Sequence, residues 1–281
     1  MSSRTLLFVM NSATPDAQIA AIAEMTGRDE THLVCLLVDP TPALPAYAYG
    51  IPPYGAVNIP DNWQLQVQQA HNKQQTRVDE VEKLLAHHGT SGQVMGTLTA
   101  SLHVKHQVAR CARVSDEAVF ANNLRETPHL LREAISGVLF QSPIGFQVNA
   151  NTAQKPTRVF IAWDSSPPAA AAVHRALPYL KNSQEVVIGC IDPIMTPEHD
   201  RQDPGTDLAA WLSHHGCTVT VSQYPSGERS ISDCIQDRAR ETGADLIVMG
   251  AYARGRMIQT VLGGTTRSMV EQTEIPVFFA H

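Results

Sequence analysis

The sequence predicts an α/β protein made of two doubly wound domains in tandem, and three observations carry that prediction. Short β-favouring apolar runs alternate with stretches of helical period, the pattern of parallel strands joined by helical crossovers. The runs are apolar at consecutive positions, as in Leu246-Ile247-Val248-Met249, which marks strands buried on both faces. The pattern is also written twice. Asn11 and Asp164 each close a first strand and stand 153 residues apart, the interval that also separates Asp39-Pro40 from Asp192-Pro193.

Each element follows in order. Thr5 to Met10 reads as a strand, Asp16 to Met25 as a helix and His32 to Val38 as a second strand. Beyond Pro40, prolines and tyrosines break any period, so residues near 40–65, with the Tyr/Pro loop at 45–54, read as an irregular insertion. Asn62 to His88 is helical, with Trp63, Val67, Val78, Val81 and Leu85 suited to core packing or an interface. In the second copy, Val159 to Trp163 is a strand, a helix starts near Pro168, and Glu185 to Ile191 is the next strand. His87-His88-Gly89 and His214-His215-Gly216 are only 127 residues apart, so the first copy holds 26 extra residues, which the insertion supplies. Asp116 to Phe120 echoes Asp245 onward, and Pro143 echoes Pro276. The period is far longer than any solenoid unit, so the repeat means two domains, 1–150 and 156–281, joined by the linker Asn149 to Pro156.

The bulk composition narrows the function. A net charge of −6 with no basic block argues against nucleic acid as a partner. No window approaches the ~18 consecutive apolar residues of a membrane span. The five scattered cysteines, without a C-x-x-C, read as reduced, buried thiols of a cytoplasmic protein.

Chemistry concentrates in the last segment. Met249-Gly250 ends a buried strand, a loop with Arg254 and Arg256 follows, and Gly263-Gly264-Thr265-Thr266 opens a helix running to about Val270. Glycines before a helix N-terminus bring backbone N–H groups close to an anion, so this is a candidate phosphate cradle. The stretch resembles the universal stress protein family, whose nucleotide-binding members carry G-x2-G-x9-G-[ST] here. Gly250 and Gly263 match with intact spacing; Ala253 stands in place of the second glycine and Gly264 in place of the small hydroxyl residue.

The resemblance implies two five-stranded parallel sheets of strand order 3-2-1-4-5. It further implies a stress-response sensor that binds an adenine nucleotide, ATP or AMP, and admits a divalent cation. In that order strands one and four flank the switch point where ligands sit, which brings Asp164 to face Gly250. Asp164 would accept bonds from the ribose or adenine, and main-chain groups at Cys190, or one residue to either side, would meet adenine. Met249, Gly250, Ala253, Gly263, Gly264, Thr265 and Thr266 would line the phosphate side, a threonine hydroxyl replacing the absent serine. The Ala253 departure costs about 1 kcal/mol if that position needs φ > 0, and the lost hydroxyl about 1–3 kcal/mol.

The first copy lacks the cradle: Ala121 to Arg125 occupies the loop, Leu130-Leu131 the glycine-pair position and Asn11 the aspartate position, so no nucleotide is expected there. Family members pair through the last strand, so Val277 to Ala280 is expected at an interface, within the chain or in a homodimer. The alternative reading is a nucleotide-free dimeric scaffold for a protein partner.

Other motifs have simpler explanations. The paired histidines at 87–88 and 214–215 split across helix faces, and His103 and His106 lack further ligands, so no metal site is expected. Ser230 with Asp233 reads as a helix cap rather than a nucleophile. Neither a P-loop, an early G-x-G-x-x-G nor a G-x-S-x-G is present, which disfavours the corresponding enzymes. Asp164-Ser165-Ser166-Pro167 has neither the Ser-Gly-Gly loop nor the paired histidines of the related adenine-nucleotide α-hydrolases. With no general base apparent, the expectation is a binding protein rather than an enzyme, at most a slow ATP hydrolase.

Overall fold

The computed structural model describes residues 4–43, 61–100, 103–196, 203–251 and 262–281. The Tyr/Pro loop at 45–54 and Ala253 with its neighbouring arginines lie outside the described residues.

The first half runs β1 (Thr5–Met10), α1 (Asp16–Arg28), β2 (His32–Pro40), α2 (Asp61–His87), β3 (Gly92–Thr99), α3 (Val104–Ala112), β4 (Glu117–Phe120), α4 (Pro128–Gln141), β5 (Gly145–Val148). The second runs β6 (Arg158–Trp163), α5 (Pro167–Asn182), β7 (Glu185–Ile191), α6 (Thr206–His214), β8 (Val219–Tyr224), α7 (Ile231–Glu241), β9 (Leu246–Gly250), α8 (Gly264–Glu271), β10 (Val277–Ala280). Every strand expected from an apolar run is present. The central strands β1, β4, β9 and β10 are buried at almost every residue, as strands covered on both faces must be.

All ten strands join in one sheet of order β3-β2-β1-β4-β5-β10-β9-β6-β7-β8. Read from its outer edge toward the seam, each half has the order 3-2-1-4-5, with parallel neighbours inside each half. The seam is the exception: β5 and β10 pair antiparallel, Val148 opposite Val277 and Phe146 opposite Phe279. The rings of Phe146 and Phe279 stack with centroids 5.0 Å apart, and Phe120 meets Phe146 edge-on at 5.2 Å. Each such buried ring contributes about 1.5–3 kcal/mol. The last-strand interface therefore lies within the chain.

Local signals set the helix starts that matter for the site. Ser166 caps α5, its Oγ accepting from the Ala169 N–H at 3.2 Å, with Pro167 and Pro168 in the first turn. Ser230 caps α7 in the same way, accepting from the Asp233 N–H at 3.1 Å, and Asp233 complements the helix dipole. At the start of α2 the Trp63 indole donates to the Pro42 carbonyl at 2.9 Å, which ties together the two ends of the 40–65 insertion.

Candidate functional site

The strands β6 and β9 are neighbours, with Ala162 opposite Met249. From β6 the chain crosses to β7 on one side, and from β9 to β10 on the other, so a crevice opens beyond their carboxyl ends. A cavity of about 470 Å³ lies there. One wall is Ala162, Trp163 and Asp164 at the end of β6; the opposite wall is Met249-Gly250 with the Gly263–Thr266 turn. Gly189 and Ile191 of β7 and Ile231 and Ile235 of α7 complete it.

Most of the expected residues meet in this cavity although 86 positions separate Asp164 from Gly250. Asp164 is exposed, and its Oδ1 accepts from the Ser166 N–H at 3.1 Å and from the Ser166 hydroxyl at 2.6 Å. That turn places Ser165 at φ 59°, the left-handed region. The carboxylate is thus held at the crevice mouth by the same serine that caps α5. Gly263 caps α8, and the first N–H to close a helical bond is that of Arg267, onto the Gly263 carbonyl at 2.9 Å. The positive end of α8 therefore faces the cavity. Thr266 is buried, whereas Thr265 is half-buried.

Two glycines differ in why they are glycine. A Cβ on Gly250 would sit 2.5 Å from the Ala169 nitrogen and 2.7 Å from the Pro168 carbonyl carbon, so the start of α5 presses directly on this backbone. Gly250 is needed for packing whether or not an anion binds. A Cβ on Gly264 would meet nothing within 4 Å, so the family's hydroxyl residue would fit there without displacement.

Cys190 is placed otherwise than its neighbours. Its side chain is fully buried in the core with Ile188, Leu208 and Leu212, while Gly189 and Ile191 line the cavity. Strand alternation requires this, since adjacent side chains leave a sheet on opposite faces. Sequence reasoning left Gly189 and Ile191 within one residue of its main-chain contact at Cys190, and it missed Ile231 and Ile235. The i, i+2 spacing of the first pair on a strand and the i, i+4 spacing of the second on a helix were the available signals.

In the first half, side chains bridge the matching strand ends. Asn123 Nδ2 donates to Asn11 Oδ1 at 2.8 Å, and the Thr14 hydroxyl donates to Asn123 Oδ1 at 2.9 Å, bridging the ends of β1 and β4. Around them, the Ser12 hydroxyl donates to Asp39 at 2.6 Å and Gln74 Nε2 to the same carboxylate at 2.8 Å. Arg77 donates to the Thr14 carbonyl at 2.8 Å and to Asp16 at 2.6 Å. Asn122–Glu126 forms a 3-10 turn, and Leu130 and Leu131 lie buried inside α4.

Elsewhere, no group of three or more His, Cys, Asp or Glu could hold a metal among the described residues. Trp211 lies between His174 and His215, with ring centroids 4.5 and 4.4 Å away. All five cysteines are buried and none forms a disulfide among the described residues, and burial pushes the Cys35 thiol up to about 12. Among the described residues, no helix is long and apolar enough to cross a membrane.

Residues 217–281, which contain β8 to β10 and the Gly250–Thr266 wall, match the model of the universal stress protein family. Over these residues the chain is similar to the universal stress protein family. A candidate universal stress protein from Pseudomonas aeruginosa UCBPP-PA14 has the same fold across both halves. Its TM-score is 0.57 at 14% identity, over 99% of this chain and 93% of that one. A universal stress protein family member from Burkholderia pseudomallei is 20% identical over 43% of this chain and 92% of its own, with a TM-score of 0.31. No curated protein matches the chain significantly.

Proposed function

We propose that the second-half crevice binds an adenine nucleotide, ATP or AMP, and that the chain is a cytoplasmic nucleotide sensor in a stress response. The observation that supports this reading best is the cavity itself. One carboxylate stands on one wall, and a glycine turn opening a helix stands on the other. Its volume of about 470 Å³ falls in the usual range for small-molecule sites. In this reading Asp164 receives the ribose hydroxyls. Ile191, Ile231 and Ile235 offer apolar contact to the base. The Gly263–Thr266 turn receives the phosphates, with a divalent cation accompanying a triphosphate. No turnover is assigned to the site; its role is to hold the nucleotide. The first half is structural in this reading.

Isothermal titration with AMP and with ATP tests it. The expected result is one nucleotide per chain in the wild type and none in Asp164→Ala. An unchanged titration in that variant, or two nucleotides per chain, would overturn it. A nucleotide-free dimeric scaffold, the competing reading, needs an edge other than β10, because β10 is already paired on both sides, with β5 and β9.

A further inference from the structure

A second cavity, of about 280 Å³, lies between the two halves and away from the crevice. Its apolar lining comes from strand residues Leu6, Val119 and Leu246, with Met25 of α1 and Pro178 of α5. Residues 150–152 and 154–156 of the connecting segment form a further side. At its polar wall stand Arg4, Gln147 and Tyr179, and all three converge on Glu117, which is 1% exposed. Tyr179 donates to Glu117 Oε2 at 2.7 Å, Gln147 Nε2 donates to Oε1 at 2.7 Å, and Arg4 pairs with the same carboxylate.

The charges of this cavity are already committed. Arg4 answers Glu117, and Lys155 pairs with Asp29 at 2.8 Å. Arg28 donates to the carbonyls of Thr152 and Ala153 in the connecting segment. Asp245 accepts from the Thr157 and Arg158 N–H groups. An ionic ligand would have to break one of these arrangements. One polar group remains: Gln147 is 7% exposed, its nitrogen is held by Glu117, and its amide oxygen accepts no hydrogen bond among the described residues. Gln147 lines the cavity, and a ligand N–H or O–H there would give this oxygen a donor.

We infer that this inter-half cavity is a binding site for an uncharged, largely apolar small molecule carrying a hydrogen-bond donor, which it directs to Gln147. The site is independent of the nucleotide reading. The probe is N-phenyl-1-naphthylamine, an uncharged aromatic amine with one N–H, whose fluorescence rises in apolar surroundings. Titrated into the full chain, it should show saturable enhancement. Ala150→Trp and Pro178→Trp fill the cavity from two different sides, and each should weaken binding at least tenfold, with circular dichroism confirming the fold. AMP in excess should leave the probe signal unchanged. No saturable enhancement in the wild type, full enhancement in both variants, or displacement of the probe by AMP would each overturn the inference.

Discussion

At the end of β1 the side chain is Asn11, and at the end of β6, the equivalent position, it is Asp164. Asn11 is buried and bonded to Asn123 at the end of β4, so the two strands are bridged and the crevice is closed by protein. Asp164 is exposed, its carboxylate accepts from Ser166, and a cavity remains beyond the ends of β6 and β9. The crossover helices reinforce the contrast. α2 has 27 residues and α6 has 9. With the His-His-Gly ends aligned, Gln74 and Arg77 of α2 correspond to positions before α6 begins, and these are the side chains that close around Asp39 and Thr14. One topology thus yields an open crevice or a polar plug, depending on a few side chains and the length of one helix.

The contrast can be broken most strongly at the glycine. Gly250→Ala places a methyl group against the α5 backbone and should cost about 3 kcal/mol, read as a lower urea midpoint. Its counterpart Ala121 already carries that methyl group in the first half, so Ala121→Gly should cost only about 1 kcal/mol. Asn123→Ala removes both bonds that join Asn11 and Thr14 across the plug and should destabilise by about 2 kcal/mol. It should not create nucleotide binding in the first half, which titration calorimetry would check. Gly264→Ser restores a hydroxyl where space is open and should tighten AMP about tenfold, or about 1.4 kcal/mol, with little change in stability.

The smallest effect concerns pH. Burial raises the Glu117 carboxyl above its ordinary range despite Arg4, so the folded state binds this proton more tightly than the unfolded state. The contribution is therefore complete below the unfolded carboxylate pKa and is lost as pH rises through the folded value. Urea midpoints across that window should fall with rising pH in the wild type, and Glu117→Gln should flatten this component.

Much of the fold was legible because local patterns specify it. The apolar run Leu246 to Met249 is a strand on any reading, and the 153-residue interval between the two Asp-Pro pairs requires a repeat. Asp164 and the Gly263–Thr266 turn were legible as chemistry, and only the strand order brought by family resemblance joined them. Cys190 shows the limit: the strand was found, but which of its residues faces the crevice depends on a phase that a one-residue shift inverts. Gly250 shows another, since its contact with Ala169 has no local mark in the chain.

The sequence by itself determined the elements, their duplication and the loss of the glycine turn in the first half, because propensity, period and spacing act between near neighbours. Only the tertiary structure decided that β5 and β10 close the seam antiparallel, that Gln74 and Arg77 of α2 join the plug, and that a second cavity opens between the halves. Those outcomes rest on contacts between residues far apart in the chain, where packing and hydrogen-bond geometry in three dimensions select the partner.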